Sequence, residues 1–132
     1  MEITALSVPG AFVVTNSVHS DERGEFVEWF RRDRIAEDTG ISFNTVQANL
    51  SMSSQGTFRG IHFADVPPGQ AKYVTCVSGS IQDFVIDIRP GSPHFGNMRW
   101  LNWTQAVAEL SFWTWDLGTD LWLWKTKRLS AT

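Results

Sequence analysis

Cysteine is almost absent from this chain of 132 residues. The one thiol, Cys76, can close no internal disulfide. With His19, His62 and His94 scattered singly, there is neither a His-x-His pair nor a cysteine cluster with zinc spacing, which disfavours a metal site. No apolar run approaches the ~20 residues of a membrane helix, and Met1 opens no charged-then-apolar secretory signal. The expected setting is a reducing cytoplasm, away from membranes. A surplus of positive charge is missing too: the formal net charge of −3 creates no broad basic field for nucleic acid, so an anionic ligand has to be held by a few placed arginines and lysines. Gly-x-Ser-x-Gly elbows, phosphate loops and dinucleotide glycine patterns are lacking, which removes the commoner hydrolase, kinase and nicotinamide chemistries.

What is present has ordinary globular proportions, 42% hydrophobic and 19% charged, and a length suited to one domain spanning 1–132. Short apolar stretches from Ile3 to Val14 are broken by Pro9-Gly10, and Asp21-Glu22-Arg23-Gly24 is a second turn. Strands are predicted over Glu25 to Phe30, Thr45 to Leu50, Thr57 to Phe63, Ala71 to Val77 and Ile81 to Ile88. Arg31 to Gly40 is polar enough for one short surface helix ended by glycine. Many short strands punctuated by Gly and Pro predict an all-β sandwich or barrel, most economically a jelly roll. Beyond Trp100 the character changes. Counting Trp100 itself, six of the seven tryptophans fall in this last quarter and the strand alternation is lost, so 101–132 reads as an atypical tail.

Among single residues, His62 is the main candidate base, a strand histidine three residues after Arg59. A regular strand would point Arg59 away from it, so a shared site needs a bend or bulge at Gly60. A lone histidine is equally at home as a satisfied core or surface side chain, and Arg23 and Lys72 are by default solvated charges. Gln47 and Asn49, two apart in a predicted strand, share a face; if that face is inward, the amides need polar partners.

In order and spacing, several blocks resemble the dTDP-4-dehydrorhamnose 3,5-epimerases: Asp21-Glu22-Arg23-Gly24-Glu25-Phe26-Val27-Glu28, Gln47-Ala48-Asn49-Leu50-Ser51, Phe58-Arg59-Gly60-Ile61-His62-Phe63, Gln70-Ala71-Lys72-Tyr73, and Val85 through Gly96. The likeness departs at Ala48, where the family usually has aspartate, and entirely after about residue 100. It implies a cupin-type jelly roll and a homodimer with exchanged N-terminal strands. The implied substrate is a dTDP-linked 4-keto-6-deoxyhexose, epimerised at C3 and/or C5 in deoxysugar biosynthesis with no metal or organic cofactor. By the same resemblance His62 is the base and Lys72 stands near the C4 oxygen. Arg59 binds diphosphate, Gln47 and Asn49 line the sugar and nucleotide site, and Arg23, Phe26 and Glu28 bind nucleotide from the neighbouring subunit.

These residue types suit the chemistry. A proton beside a ketone is weakly acidic, so its removal needs a base near neutral pKa and a cation where enolate charge develops. The family's second acid is a tyrosine, and an aspartate further on orients its histidine; neither is identifiable here, since the only tyrosine, Tyr73, lies beside Lys72 in another block. That gap leaves room for a non-catalytic nucleotide-sugar-binding cupin, with a metal-dependent oxygenase a distant third.

The tail itself reads like a shifted frame. Reading each codon from Leu117 to Thr132 one base early permits Leu-Gly-His-Gly-Phe-Met-Ala-Leu-Glu-Asp-Glu-Ala-Thr-Val-Ser-Tyr, the block that the family would carry there. The choice is constrained, because Trp124 followed by Lys125 forces Glu and Trp113 followed by Thr114 forces Asp. A slip between about Phe95 and Trp103 would leave a tail never selected to complete the roll, with poorly fitting tryptophans and an unstable or aggregation-prone chain.

Overall fold

The computed structural model describes residues 1–60, 62–63, 70–104, 109–113 and 124–126, the last two stretches as backbone alone. Ten strands and one helix follow in chain order: β1 (Glu2–Ala5), β2 (Ala11–Thr15), β3 (Val18–Asp21), β4 (Gly24–Val27), α1 (Arg32–Thr39), β5 (Phe58–Arg59), β6 (Tyr73–Val74), β7 (Ser80–Ile86), β8 (Met98–Thr104), β9 (Glu109–Trp113) and β10 (Trp124–Thr126). They build two four-stranded sheets, ordered β1-β2-β9-β6 and β5-β10-β7-β8, and a separate β3-β4 hairpin. Every pairing described is antiparallel. This is the expected jelly roll.

The turn at Pro9-Gly10 joins β1 to β2 as predicted. Leu6 N–H donates to the Ala11 carbonyl at 2.8 Å, and Ala11 N–H to the Val8 carbonyl at 3.1 Å, so the loop tucks Val8 into the core. Between the sheets Val8, Ala11, Cys76, Ile81, Val85, Leu101 and Trp103 form one apolar cluster. The outer face of the first sheet is covered by α1 and the segment after it, where Ile35 and Phe43 pack against Ile3, Phe12, Phe30 and Tyr73. The helix stops where glycine permits it: Gly40 has φ of 73°, a left-handed value that costs a residue with Cβ, and its N–H caps the Ala36 carbonyl at 2.9 Å.

Several strands are shorter than their patterns suggested. Ladder pairing ends at Val27 rather than Phe30, and only Phe58–Arg59 and Tyr73–Val74 of the longer predicted runs pair. Thr45 to Leu50 forms no strand at all. Gln47 and Asn49 are exposed rather than inward-facing, and they satisfy one another, with Gln47 Nε2 donating to Asn49 Oδ1 at 3.0 Å. Periodicity marks a face only where a partner strand lies beside it.

The change of character after Trp100 does not end the sheet. Strand β8 alternates, with Leu101 and Trp103 buried and Asn102 exposed. The tail backbone then enters both sheets: β9 pairs with β2 and β6, and β10 with β5 and β7. Trp115 and Trp122 lie outside the described residues, as do the side chains of Trp113 and Trp124.

Trp103 is fully buried, whereas Trp100, packed on Phe84 with ring centroids 4.8 Å apart, is 49% exposed. The Trp103 indole N–H donates to Asp83 Oδ2 at 3.3 Å. Burying ~200 Å² of indole at ~25 cal/mol per Å² contributes about 5 kcal/mol. Replacing Trp103 by Phe is expected to cost about 2–4 kcal/mol in urea unfolding, through lost volume and a buried carboxylate deprived of a donor, against under about 1 kcal/mol for Trp100→Phe. Equal costs would show that Trp103 is not a core residue.

Candidate active site

The hairpin β3-β4 is closed by a two-residue turn, Glu22-Arg23, with Asp21 and Gly24 as register partners. Asp21 braces it: the Arg23 N–H donates to Oδ1 at 2.8 Å, Nε to Oδ2 at 3.1 Å and Nη2 to Oδ2 at 2.5 Å. The adjacent guanidinium holds the Asp21 carboxyl below the usual carboxylate range, and the carboxylate raises Arg23 in return. Two strand positions on, Phe26 leaves 68% of its surface exposed, an unusual outlay of apolar area for a ring with a pleated ladder beneath it.

Past the hairpin, Glu28 is exposed and lies 3.6 Å from Arg31 Nη1, an ion pair that also involves Asp33. The next residue, Trp29, anchors the segment. Its carbonyl accepts hydrogen bonds from the Tyr73 hydroxyl and, at 3.2 Å, from Asn16 Nδ2. The Tyr73 ring packs edge-on against Phe30 at 5.0 Å. Burial pushes the Tyr73 phenol above its ordinary range, so at neutral pH it stays protonated and bound to a carbonyl. Its hydroxyl is engaged by a backbone carbonyl, which makes it a strut.

Arg59 ends β5, exposed, with Nε donating to Ser53 Oγ at 3.1 Å. The ladder stops at Arg59, so the alternation that would have set Arg59 and His62 on opposite faces does not extend to His62, which is exposed and outside any strand. Gly60 sits at that break, where an added methyl would come 3.1 Å from the Phe58 ring. Strand β5 is an edge of one sheet and β6 an edge of the other. The chain crosses between them from Gly60 to Lys72, with His62 near the start and half-buried Lys72 at the end; residues 61 and 64–69 lie outside the description.

Thus Arg23 and Phe26 stand together on the hairpin. Glu28 and Lys72 are linked through their neighbours Trp29 and Tyr73, and Gln47 bonds Asn49. His62 and Arg59 share the exit from β5. Two carboxylates escaped the sequence reading, Asp83 and Asp87, both fully buried. The signal was parity, because Ile81, Asp83, Val85 and Asp87 all fall on buried positions of one run. Asp83 Oδ1 accepts the Phe84 N–H at 2.9 Å. Asp87 organises the loop to β8. Its Oδ1 accepts from Arg89 Nε at 2.8 Å and from Arg89 N–H at 3.0 Å, and its Oδ2 from Arg89 Nη2 and, at 2.8 Å, Ser92 Oγ. Among the described residues, no three His, Cys, Asp or Glu side chains gather as a metal would require.

The chain is a two-sheet β roll of the jelly-roll class, with His62 and Lys72 at either end of the connection from β5 to β6 and Arg23 and Phe26 on a separate hairpin. Residues 5–111 match the family model of dTDP-4-dehydrorhamnose 3,5-epimerase, and the chain belongs to that family. It is 52% identical over 100 residues to a dTDP-4-dehydrorhamnose 3,5-epimerase of Mycobacterium tuberculosis, covering 76% of this chain and 48% of the relative. To a dTDP-4-dehydrorhamnose 3-epimerase of Streptomyces niveus it is 50% identical over 96 residues, 73% of this chain and 46% of the relative. The chain thus spans about half the length of the curated relatives it matches. Among solved structures, the Mycobacterium tuberculosis rmlC epimerase superposes with a TM-score of 0.89 at 40% identity, over 97% of this chain and 62% of that one. A 3′-monoepimerase from Streptomyces bikiniensis in complex with dTDP-quinovose superposes at 0.86 and 36% identity, over 93% and 61%.

The Asp87 cluster yields a pH prediction. Its carboxyl lies far below the usual range, chiefly through the Arg89 guanidinium, which prevails over the opposing effect of burial with help from the Arg89 backbone N–H and Ser92. A depressed folded-state pKa contributes stability that is complete above the unfolded value of about 4 and fades as pH falls below it. Asp87→Asn should therefore lose about 1.5–3 kcal/mol at pH 7, with the gap to the parent shrinking in denaturant titrations below about pH 4. A gap independent of pH would refute the charge-based account.

Proposed function

We propose that this chain carries the proton-transfer half of an epimerase site for a dTDP-linked 4-keto-6-deoxyhexose, inverting C3 and/or C5 beside the C4 ketone. The observation that carries the reading is positional: Arg23, Phe26, Glu28, Gln47, Asn49, Arg59, His62 and Lys72 all fall inside the segment that matches the family. His62 removes the proton alpha to the ketone. Lys72 offers its ammonium to the oxygen as enolate charge accumulates, where a placed cation lowers the barrier most. Gln47 and Asn49, exposed and polar, suit a sugar edge, and Arg59 a diphosphate oxygen. Solved relatives with dTDP and dTDP-sugars bound support that substrate class.

A second copy of the chain supplies a reason for the exposed hairpin. Phe26 stands uncovered, with Val46, Leu50 and Met52 exposed in the loop that carries Gln47 and Asn49. In a homodimer with exchanged N-terminal strands, Arg23, Phe26 and Glu28 complete the neighbour's nucleotide site. A cytoplasmic setting suits such chemistry, and no helix among the described residues is long and apolar enough to cross a membrane.

The test is exchange of solvent deuterium into the sugar beside C4. Loss of a base that acts in the transition state should slow exchange ~10²-fold or more in His62→Ala. Equal exchange by both proteins would remove His62 from the reaction. dTDP-sugar binding with no exchange by the parent chain would make it a nucleotide-sugar-binding cupin instead.

The tail bears on that outcome. Identity with the Mycobacterium tuberculosis enzymes is 52% over 100 residues and 40% once the superposition reaches 97% of the chain, which supports a frame shifted after about residue 100. Restoring the one-base-early reading should raise the melting temperature and sharpen the transition, since native side chains would then fill β9 and β10. Equal, cooperative melting with either tail would disprove the shift.

A further inference from the structure

The β3-β4 hairpin bears a hollow of about 190 Å³ walled by His19, Asp21, Arg23, Gly24, Glu25 and Phe26. His19 lies on β3 within this wall. It is the register partner of Phe26, and Asp21 that of Gly24. The pleat therefore sets His19, Asp21 and Phe26 on one face, and directly opposed side chains in an antiparallel pair stand ~4.5–5.5 Å apart at Cβ. An imidazole and a phenyl ring lie side by side there, both exposed.

The charge of the hollow narrows what it takes. The Asp21 carboxylate offsets the one guanidinium, since Arg23 spends its Nε and an Nη2 donor on it, while Glu25, register partner of Ser20, takes the other face of the pleat. A diphosphate would gain little from such a balance. A neutral planar heterocycle gains more. It can stack on Phe26, and the imidazole's N–H and its bare nitrogen match the C=O and N–H of a pyrimidine edge.

We propose that His19 is a specificity-determining residue that, with Phe26, holds the nucleobase of the sugar nucleotide, leaving the diphosphate to Arg59. This rests on the nucleotide-sugar reading above. Calorimetric titration of the whole chain with dTDP, and separately with inorganic pyrophosphate, tests it, using the parent, His19→Ala and His19→Gln. Because His19 is exposed, melting temperatures should agree among the three. His19→Ala is expected to weaken dTDP about tenfold and leave pyrophosphate unchanged, while His19→Gln, which keeps a donor and an acceptor, recovers part of the loss. A parallel loss of pyrophosphate affinity would put His19 on the phosphates and overturn the proposal, as would unchanged dTDP binding by His19→Ala. If the parent binds neither probe, the nucleotide-sugar reading itself fails, and the role of His19 with it.

Discussion

The geometry of the site depends on one backbone carbonyl, that of Trp29. It accepts from Asn16 at the end of β2 and from the Tyr73 hydroxyl on β6, so three chain segments far apart in sequence meet on a single oxygen. Each of these bonds contributes about 1 kcal/mol, and together they hold the three segments in place. Two residues of the proposed site flank it: Glu28 precedes Trp29, and Lys72 precedes Tyr73. Aromatic packing of Tyr73 with Phe30 and Phe43 closes the same junction from the side of the helix.

The two sheets supply the rest of the positioning, and they do so with little regard to side-chain identity. Strands β9 and β10 come from the Trp-rich stretch in which the family match ends, at residue 111, yet their backbones join β6 to the first sheet and β5 to the second. Ladder hydrogen bonds need only N–H and C=O groups, which every residue except proline supplies. The edges that carry Arg59 and Lys72 are therefore tied in by the tail's backbone. Side chains decide stability and chemistry, which ladder pairing by itself does not supply.

Buried carboxylates show the opposite dependence. Asp83 and Asp87 sit on an apolar strand face, where ionised groups persist only if donors surround them. Asp87 finds four, all within the ten residues that lead from β7 to β8, and the loop's shape follows from that demand. Asp83 draws on Trp103 across the β7-β8 ladder, which makes that tryptophan of the Trp-rich region part of the core.

Turns, the helix and the family blocks were legible in the chain because each rests on local chemistry: Pro9-Gly10 and Glu22-Arg23 at tight turns, Gly40 at a helix end, and motif spacing around Arg23, Arg59 and His62. Strand lengths were not, because Thr45 to Leu50 alternates correctly but has no partner to pair with, and a ladder exists only where a second backbone arrives. Nor was the inward face of β7 seen as a site for carboxylates, since the donors that permit Asp83 and Asp87 are named by contacts and not by neighbours alone. By itself the sequence determined the fold class, the family and the residue types able to abstract and stabilise a proton. Tertiary structure alone decided that Tyr73 is a strut, that His19 faces Phe26, and that His62 and Lys72 bound one crossing between sheets, because burial, register and hydrogen-bond partners are properties of segments brought together from a distance.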